Sequence, residues 1–267
     1  MSPETCPSVS LEIGGKAIRL FTEDPDFLAM LSARYGTFVN PSAPAEVELS
    51  IKLCNPLTSR PDDDVRVAFK DGQWMVTRGD FRSVWRPDSG KGIVEQTANP
   101  YSIDTVLRII HTVLLAREGG FLLHASSLVR NHRAFVFSGL SGAGKTTISR
   151  LAPADVQLLS DEISYIRRDH RGYTACGTPF FGDLGIPGEN VCAEVAALYF
   201  LVKGTENRIE PLAPAEAARL LLRNILFFAE DTELVKLLFQ SACDFLQAVP
   251  ARRLAFLPDE RVWELIR

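Results

Sequence analysis

Apolar and polar positions alternate with a period of two over most of the first hundred residues. Ser8–Ile13 and Ala17–Phe21 alternate on either side of Gly14-Gly15, which predicts a two-residue hairpin. The period changes at Asp24-Pro25-Asp26, where a capping aspartate, a proline at the first helical position and early negative charge predict a helix ending near Gly36. Strand patterning returns over Val47–Leu53, Val65–Phe69, Trp74–Thr77 and Arg82–Arg86, and Asn55–Asp64, with three successive aspartates, reads as an exposed loop. These elements predict a small, mainly antiparallel α+β domain over residues 1–100.

From Tyr101 the period lengthens. Val106, Ile109, Ile110, Val113 and Leu114 fall on one face of a predicted helix that Ser102 caps and Gly119-Gly120 ends. His111 lies in this helix and reads as a surface or core-edge residue without a functional role. Two β-type runs follow, Leu123–Val129 and Arg133–Phe137, separated by Arg130-Asn131-His132 in a tight hairpin. Further on, Ile163–Arg168 and Tyr173–Cys176 predict another hairpin, and Gly177–Asn190, with four glycines and two prolines, a lid or substrate rim. Leu198–Lys203 and Arg208–Leu212 predict a last strand pair, Ala215–Phe228 and Asp231–Ala248 two helices, and Leu254–Phe256 and Val262–Ile266 two terminal strands. The aromatics Phe227, Phe228, Phe239 and Phe245 suit a core or a subunit interface, which leaves a homo-oligomer open.

The chain has 267 residues, 29 basic against 33 acidic, for a net charge of −4. Neither side of Gly120 carries the basic excess expected of a nucleic-acid binder. The longest apolar runs, such as Val195–Val202, are far short of the ~20 residues of a membrane span. The first ten residues lack the basic and apolar regions of a signal peptide. The five cysteines, Cys6, Cys54, Cys176, Cys192 and Cys243, include no C-x-x-C pair, so unpaired thiols in a reducing cytoplasm are expected.

The chemistry concentrates between Phe121 and Arg167. Gly139-Leu140-Ser141-Gly142-Ala143-Gly144-Lys145-Thr146 matches the P-loop pattern G-x-x-x-x-G-K-[ST], with an apolar strand before it and a predicted helix, Thr146–Leu151, after it. Chance alone would produce such a match in a chain of this length about once in a hundred. Successive backbone N–H groups in such a loop form a nest for a polyphosphate, here with Thr147 following it. Lys145 would neutralise the β- and γ-phosphates and the Thr146 hydroxyl would hold Mg²⁺. Sixteen positions beyond Lys145, Asp161-Glu162 lies between apolar β-type segments. Near a nucleotide such a pair can hold the metal and accept a proton from an attacking hydroxyl; otherwise it opens a solvated turn. His124, fifteen positions before Gly139, suits either a core histidine or a site residue. Asp183 and Glu189 read as exposed loop charge or a further metal contact. Arg208, Arg219 and Arg223 read as solvated charge, with a phosphate within reach of Arg208 and an acidic peptide within reach of the other two.

Together, the histidine, hairpin, P-loop, short helix and acidic pair resemble the catalytic domain of HPr kinase/phosphorylase, whose nucleotide site is similar to the phosphoenolpyruvate carboxykinase type. The phrases Leu123-His124-Ala125-Ser126, Leu159-Ser160-Asp161-Glu162 and Gly177-Thr178-Pro179-Phe180 are closer still to HPr-kinase-like proteins of peptide-modification systems, including lasso-peptide precursor kinases. This resemblance spans roughly Tyr101 to Leu212. It implies an α/β domain over residues 101–267 with a mixed sheet and a P-loop fed by an antiparallel hairpin. It also implies Asp161 as general base, Glu162 and Thr146 as metal-site groups with Asp161 beside them, and His124 close to the transferred phosphate. Thr147 stands where the bifunctional enzymes carry a glutamate, so kinase chemistry is implied more strongly than phosphorolysis. The expected activity is ATP- and Mg²⁺-dependent phosphorylation of a hydroxyl, with a serine of a peptide or small protein as acceptor. A small-metabolite kinase or carboxykinase-type enzyme would use the same site, and a nucleotide-binding regulator would keep it without turnover.

Overall fold

The computed structural model describes residues 6–55, 64–228 and 231–267. The expected loop Asn55–Asp64 lies outside them except at its two ends, as do the first five positions of the segment read for a signal peptide. The described residues form two mixed sheets and five α-helices. They divide into two compact units, Met1–His111 with Phe227–Glu233, and Thr112–Leu226 with Leu234–Arg267.

The first unit contains β1 (Ser8–Ile13), β2 (Lys16–Thr22), α1 (Pro25–Tyr35), β3 (Val47–Leu53), β4 (Arg66–Lys70), β5 (Gln73–Arg78), β6 (Phe81–Arg86), β7 (Lys91–Gln96) and the start of α2 (Pro100–Arg117). The seven strands lie in the order β1-β2-β3-β7-β6-β5-β4. Two central pairings, β2 with β3 and β3 with β7, are parallel; the other four are antiparallel. Gly14 and Gly15 both take positive φ, as the β1–β2 turn requires. The Asp24 carboxylate accepts the Phe27 N–H at 2.8 Å, which caps α1 and turns Phe27, Leu31 and Tyr35 into the core. β7 is not among the expected strands: Ile93 faces solvent while Val94 is buried, so its alternation is faint. His111 is fully buried, correcting the surface or core-edge expectation, and burial, assisted by the Lys16 charge, lowers its pKa to about 3.

The second unit contains β8 (Phe121–Arg130), β9 (Arg133–Ser138), α3 (Lys145–Arg150), β10 (Gln157–Ser160), β11 (Ile163–Asp169), β12 (Gly172–Cys176), β13 (Cys192–Lys203), β14 (Arg208–Pro211), α4 (Pro214–Asn224), most of α5 (Thr232–Ala248) and β15 (Ala251–Phe256). Positive φ at Asn131 and His132 closes the β8–β9 hairpin. Pairing runs from β8 to β9, to β13, to β12, to β11 and back to β8, so these five strands close on one another. Closure removes the unpaired edges that an open sheet of this length would leave. Phe137 stacks on Tyr199, and the Trp263 ring meets Phe137 edge-on while its Nε1–H donates to the Ile148 carbonyl at 3.2 Å. The core around these rings therefore anchors α3 from below.

Three expectations change here. β13 and β14 do not pair directly, because β15 lies between them, parallel to β13 and antiparallel to β14. Val262–Ile266 is not a strand: Glu260–Glu264 forms a 3-10 turn capped by Asp259. Cys176 and Cys192 form a disulfide, so three thiols remain free where five were expected. A separation of sixteen residues hid this pair, which becomes adjacent only when β12 and β13 align. No helix among the described residues is long and apolar enough to cross a membrane.

Candidate functional site

The site is built around one short stretch of β8. On one side of the strand Ala125 pairs with Ser138, the last residue of β9, and the chain then enters Gly139–Gly144. On the other, β10 and β11 pair successively with β8, through Ser160 opposite Ser127 and Ile163 opposite His124. The two residues left between those registers are Asp161 and Glu162. The glycine-rich loop and the acidic pair thus flank the same β8 residues, about two strand spacings or ~10 Å apart.

Gly142 and Gly144 take φ values of 75° and 110°, turning the loop in a way that side-chain-bearing residues resist. A Cβ at Gly144 would also lie 2.6 Å from the Phe256 ring. Lys145 opens α3 and is 7% exposed, and its Nζ donates to the Gly139 carbonyl at 3.0 Å. Burial lowers its pKa and the nearby Glu162 charge opposes that shift. The ammonium is therefore a desolvated cation wrapped by its own loop. Ser126 and Ser149 hydroxyls meet at 2.6 Å, fixing α3 to β8. Thr146 and Thr147 are half-buried on the first turn, and Ser141 is exposed beside half-buried Ala143.

Across β8, the Ser160 hydroxyl accepts the N–H groups of Glu162 and Ile163 at 3.2 and 2.9 Å, a local turn that holds the acidic pair in place. The two carboxylates then diverge. Asp161 is 1% exposed and accepts Gly182 N–H at 2.8 Å and Leu184 N–H at 2.9 Å from the loop between β12 and β13. Glu162 is 36% exposed and faces His124 Nε2 at 3.5 Å. A Cβ at Gly182 would lie 2.7 Å from the Glu162 carboxylate oxygen, so glycine lets the loop lie close over the pair without displacing that side chain.

His124, Lys145, Asp161 and Glu162 are therefore brought together. Asp183 and Glu189 are exposed on the covering loop. Arg208 pairs with Glu206 and Glu210. No cluster of three or more His, Cys, Asp or Glu side chains suited to a metal occurs among the described residues. The donors present are a half-exposed carboxylate and a threonine hydroxyl, which suits Mg²⁺, an ion usually held by one or two protein carboxylates and otherwise by phosphates and water. The residues that the sequence did not single out are Gly182 and Leu184, which act through backbone N–H groups, and Ser160, whose place ahead of the acidic pair was its one visible signal.

No curated protein matches the chain. The family model described as SynChlorMet cassette protein ScmC matches residues 93–267, which include every residue of this site, and the chain belongs to that family.

Proposed function

We propose that this chain is a phosphotransferase that moves the γ-phosphate of ATP to a hydroxyl, with a serine of a peptide or small protein as the acceptor class. The observation that carries the reading is the placement of the glycine-rich loop and the Asp161–Glu162 pair on opposite edges of the same β8 residues. An anion seated in the loop would face Lys145 and both carboxylates at once. Lys145 would exchange its bond to the Gly139 carbonyl for a phosphate oxygen. Thr146 and Glu162 would hold Mg²⁺, which neutralises charge on the phosphates when bound. His124, facing Glu162, would orient that carboxylate or contact the transferred phosphate.

Asp161 is the proton acceptor in this reading. A carboxylate offers about four acceptor positions, and the two loop amides take two of them. The amides therefore orient Asp161 without using it up. Because Asp161 is buried beneath the loop, an acceptor hydroxyl reaches it only when the Gly182–Leu184 segment moves aside. The segment would open to admit the acceptor and close again before transfer, as gating loops do in other enzymes.

The test is transfer of labelled phosphate from ATP to a panel of serine-containing peptides. Lys145→Ala is expected to abolish both Mg²⁺·ATP binding and transfer, and Asp161→Asn to keep binding while lowering turnover by ~100-fold or more. Unchanged transfer in Lys145→Ala would overturn the phosphotransferase reading, and unchanged turnover in Asp161→Asn would remove Asp161 from the proton-transfer step.

A further inference from the structure

The phosphate-binding loop has a second face. Gly139–Ala143 forms one wall of a cavity of about 730 Å³, whose other walls come from the end of β13, the turn into β14, α4 and β15. Apart from the loop, none of the residues given a role in the proposed transfer lines it. Its apolar side includes Leu140, 57% exposed, Val202 and Leu220. Its polar side carries four cations and three glutamates, in two different situations. Arg208 and Arg253 are held by Glu206, Glu210 and Glu216. Lys203 and Arg223 form no ion pair with any described residue.

Resting on the phosphotransferase reading, we infer that this cavity takes the nucleoside half of the nucleotide, an aromatic heterocycle with its ribose. The loop fixes where the phosphates sit, and the acidic pair lies across β8 from it, so the γ-phosphate end points toward Asp161 and Glu162. The opposite end of the same ligand must leave the loop on the β13 side, where the cavity is. A volume of several hundred Å³ with an apolar wall and a few polar groups is what a small heterocyclic ligand requires. Leu140 and Leu220 offer apolar surface to the flat base. Arg223 and Lys203 can donate to ribose oxygens or base acceptors, and the glutamates can accept from ribose hydroxyls.

The distinguishing experiment is calorimetric titration of the full chain, with Mg²⁺, against ATP and against inorganic tripolyphosphate, which has the phosphates and no nucleoside. Wild-type protein is expected to bind ATP at least about tenfold more tightly. Leu220→Trp, which fills the cavity, and Arg223→Gln, at an exposed position where folding is not at risk, are each expected to lower ATP affinity about tenfold while leaving tripolyphosphate binding unchanged. Equal affinity of the wild type for the two ligands, ATP binding untouched in both variants, or a matched loss of both ligands in Arg223→Gln would overturn the inference and leave the loop's phosphate role standing. Failure of the wild type to bind either ligand would remove the phosphotransferase reading itself, and this inference with it.

Discussion

Asp161 joins two segments twenty-one residues apart through the Gly182 N–H, and the sequence alone offers no hint of that bond because its donors are backbone. His111 is the opposite case, a side chain visible in the sequence whose surroundings were not. Its helix reads as one-sided, yet the imidazole is buried, with its pKa lowered from 6.5 to about 3 chiefly by burial and further by Lys16. The folded chain therefore keeps His111 neutral where the unfolded chain protonates it. Its contribution to stability is complete above pH 6.5 and is lost as the pH falls from there toward 3, at up to ~1.4 kcal/mol per pH unit. Between pH 7 and pH 5 the wild type should lose about 2 kcal/mol more than His111→Leu, read from urea midpoints by tryptophan fluorescence. Identical pH dependence in the two proteins would mean that His111 is protonated or accessible in the folded state.

At the level of elements, local signals were readable and non-local ones were not. Gly14-Gly15, Asp24-Pro25 and Asn131-His132 each mark a backbone conformation that the adjacent chain must adopt, and these three are present, whereas Ser102, expected to cap α2, lies inside it and donates its hydroxyl to Asp80. The Gly139–Thr146 loop and the acidic pair were visible for the same reason, since residue type and order carry them. What failed depended on partners distant in sequence: β7, whose second face is solvated, β15 inserted between β13 and β14, and the Cys176–Cys192 bridge. The bridge closes the base of the loop whose amides hold Asp161, so it restricts the same segment that would have to move, in the proposed reaction, for an acceptor to enter. Cross-linking a loop of this length contributes up to ~3 kcal/mol by limiting the unfolded chain. Protein prepared without reductant should titrate three thiols when denatured, and the Cys176→Ser/Cys192→Ser variant should lose about 2–3 kcal/mol and exchange its Gly182 and Leu184 amides faster. Five titratable thiols, or unaltered exchange, would show that the bridge does not hold the loop.

At the scale of the whole molecule, each compact unit has its own sheet and its own buried core, and the three tryptophans divide between them. Trp74 and Trp85 sit opposite each other on β5 and β6, buried in the first unit, and neither indole N–H has a hydrogen-bond partner among the described residues. Replacing both with phenylalanine therefore removes volume without breaking a hydrogen bond to a described residue, at a cost of ~1–3 kcal/mol. Trp263 then remains as the single tryptophan. Its Nε1–H is bonded to Ile148 on α3 and its ring packs on Phe137 of β9, the strand and helix that bracket the glycine-rich loop. A ligand that draws Lys145 off the Gly139 carbonyl acts on the first residue of that helix, three positions before Ile148. In Trp74→Phe/Trp85→Phe, Mg²⁺·ATP should therefore change Trp263 emission and raise the unfolding free energy that Trp263 reports by about 2.7 kcal/mol at a ligand concentration of 100 Kd. Adding Lys145→Ala should remove both effects. The complementary variant Trp263→Phe, whose emission comes from the first unit alone, should give no direct emission change on binding. A response of equal size from Trp74 and Trp85 would mean that the ligand acts on the first unit and not through α3.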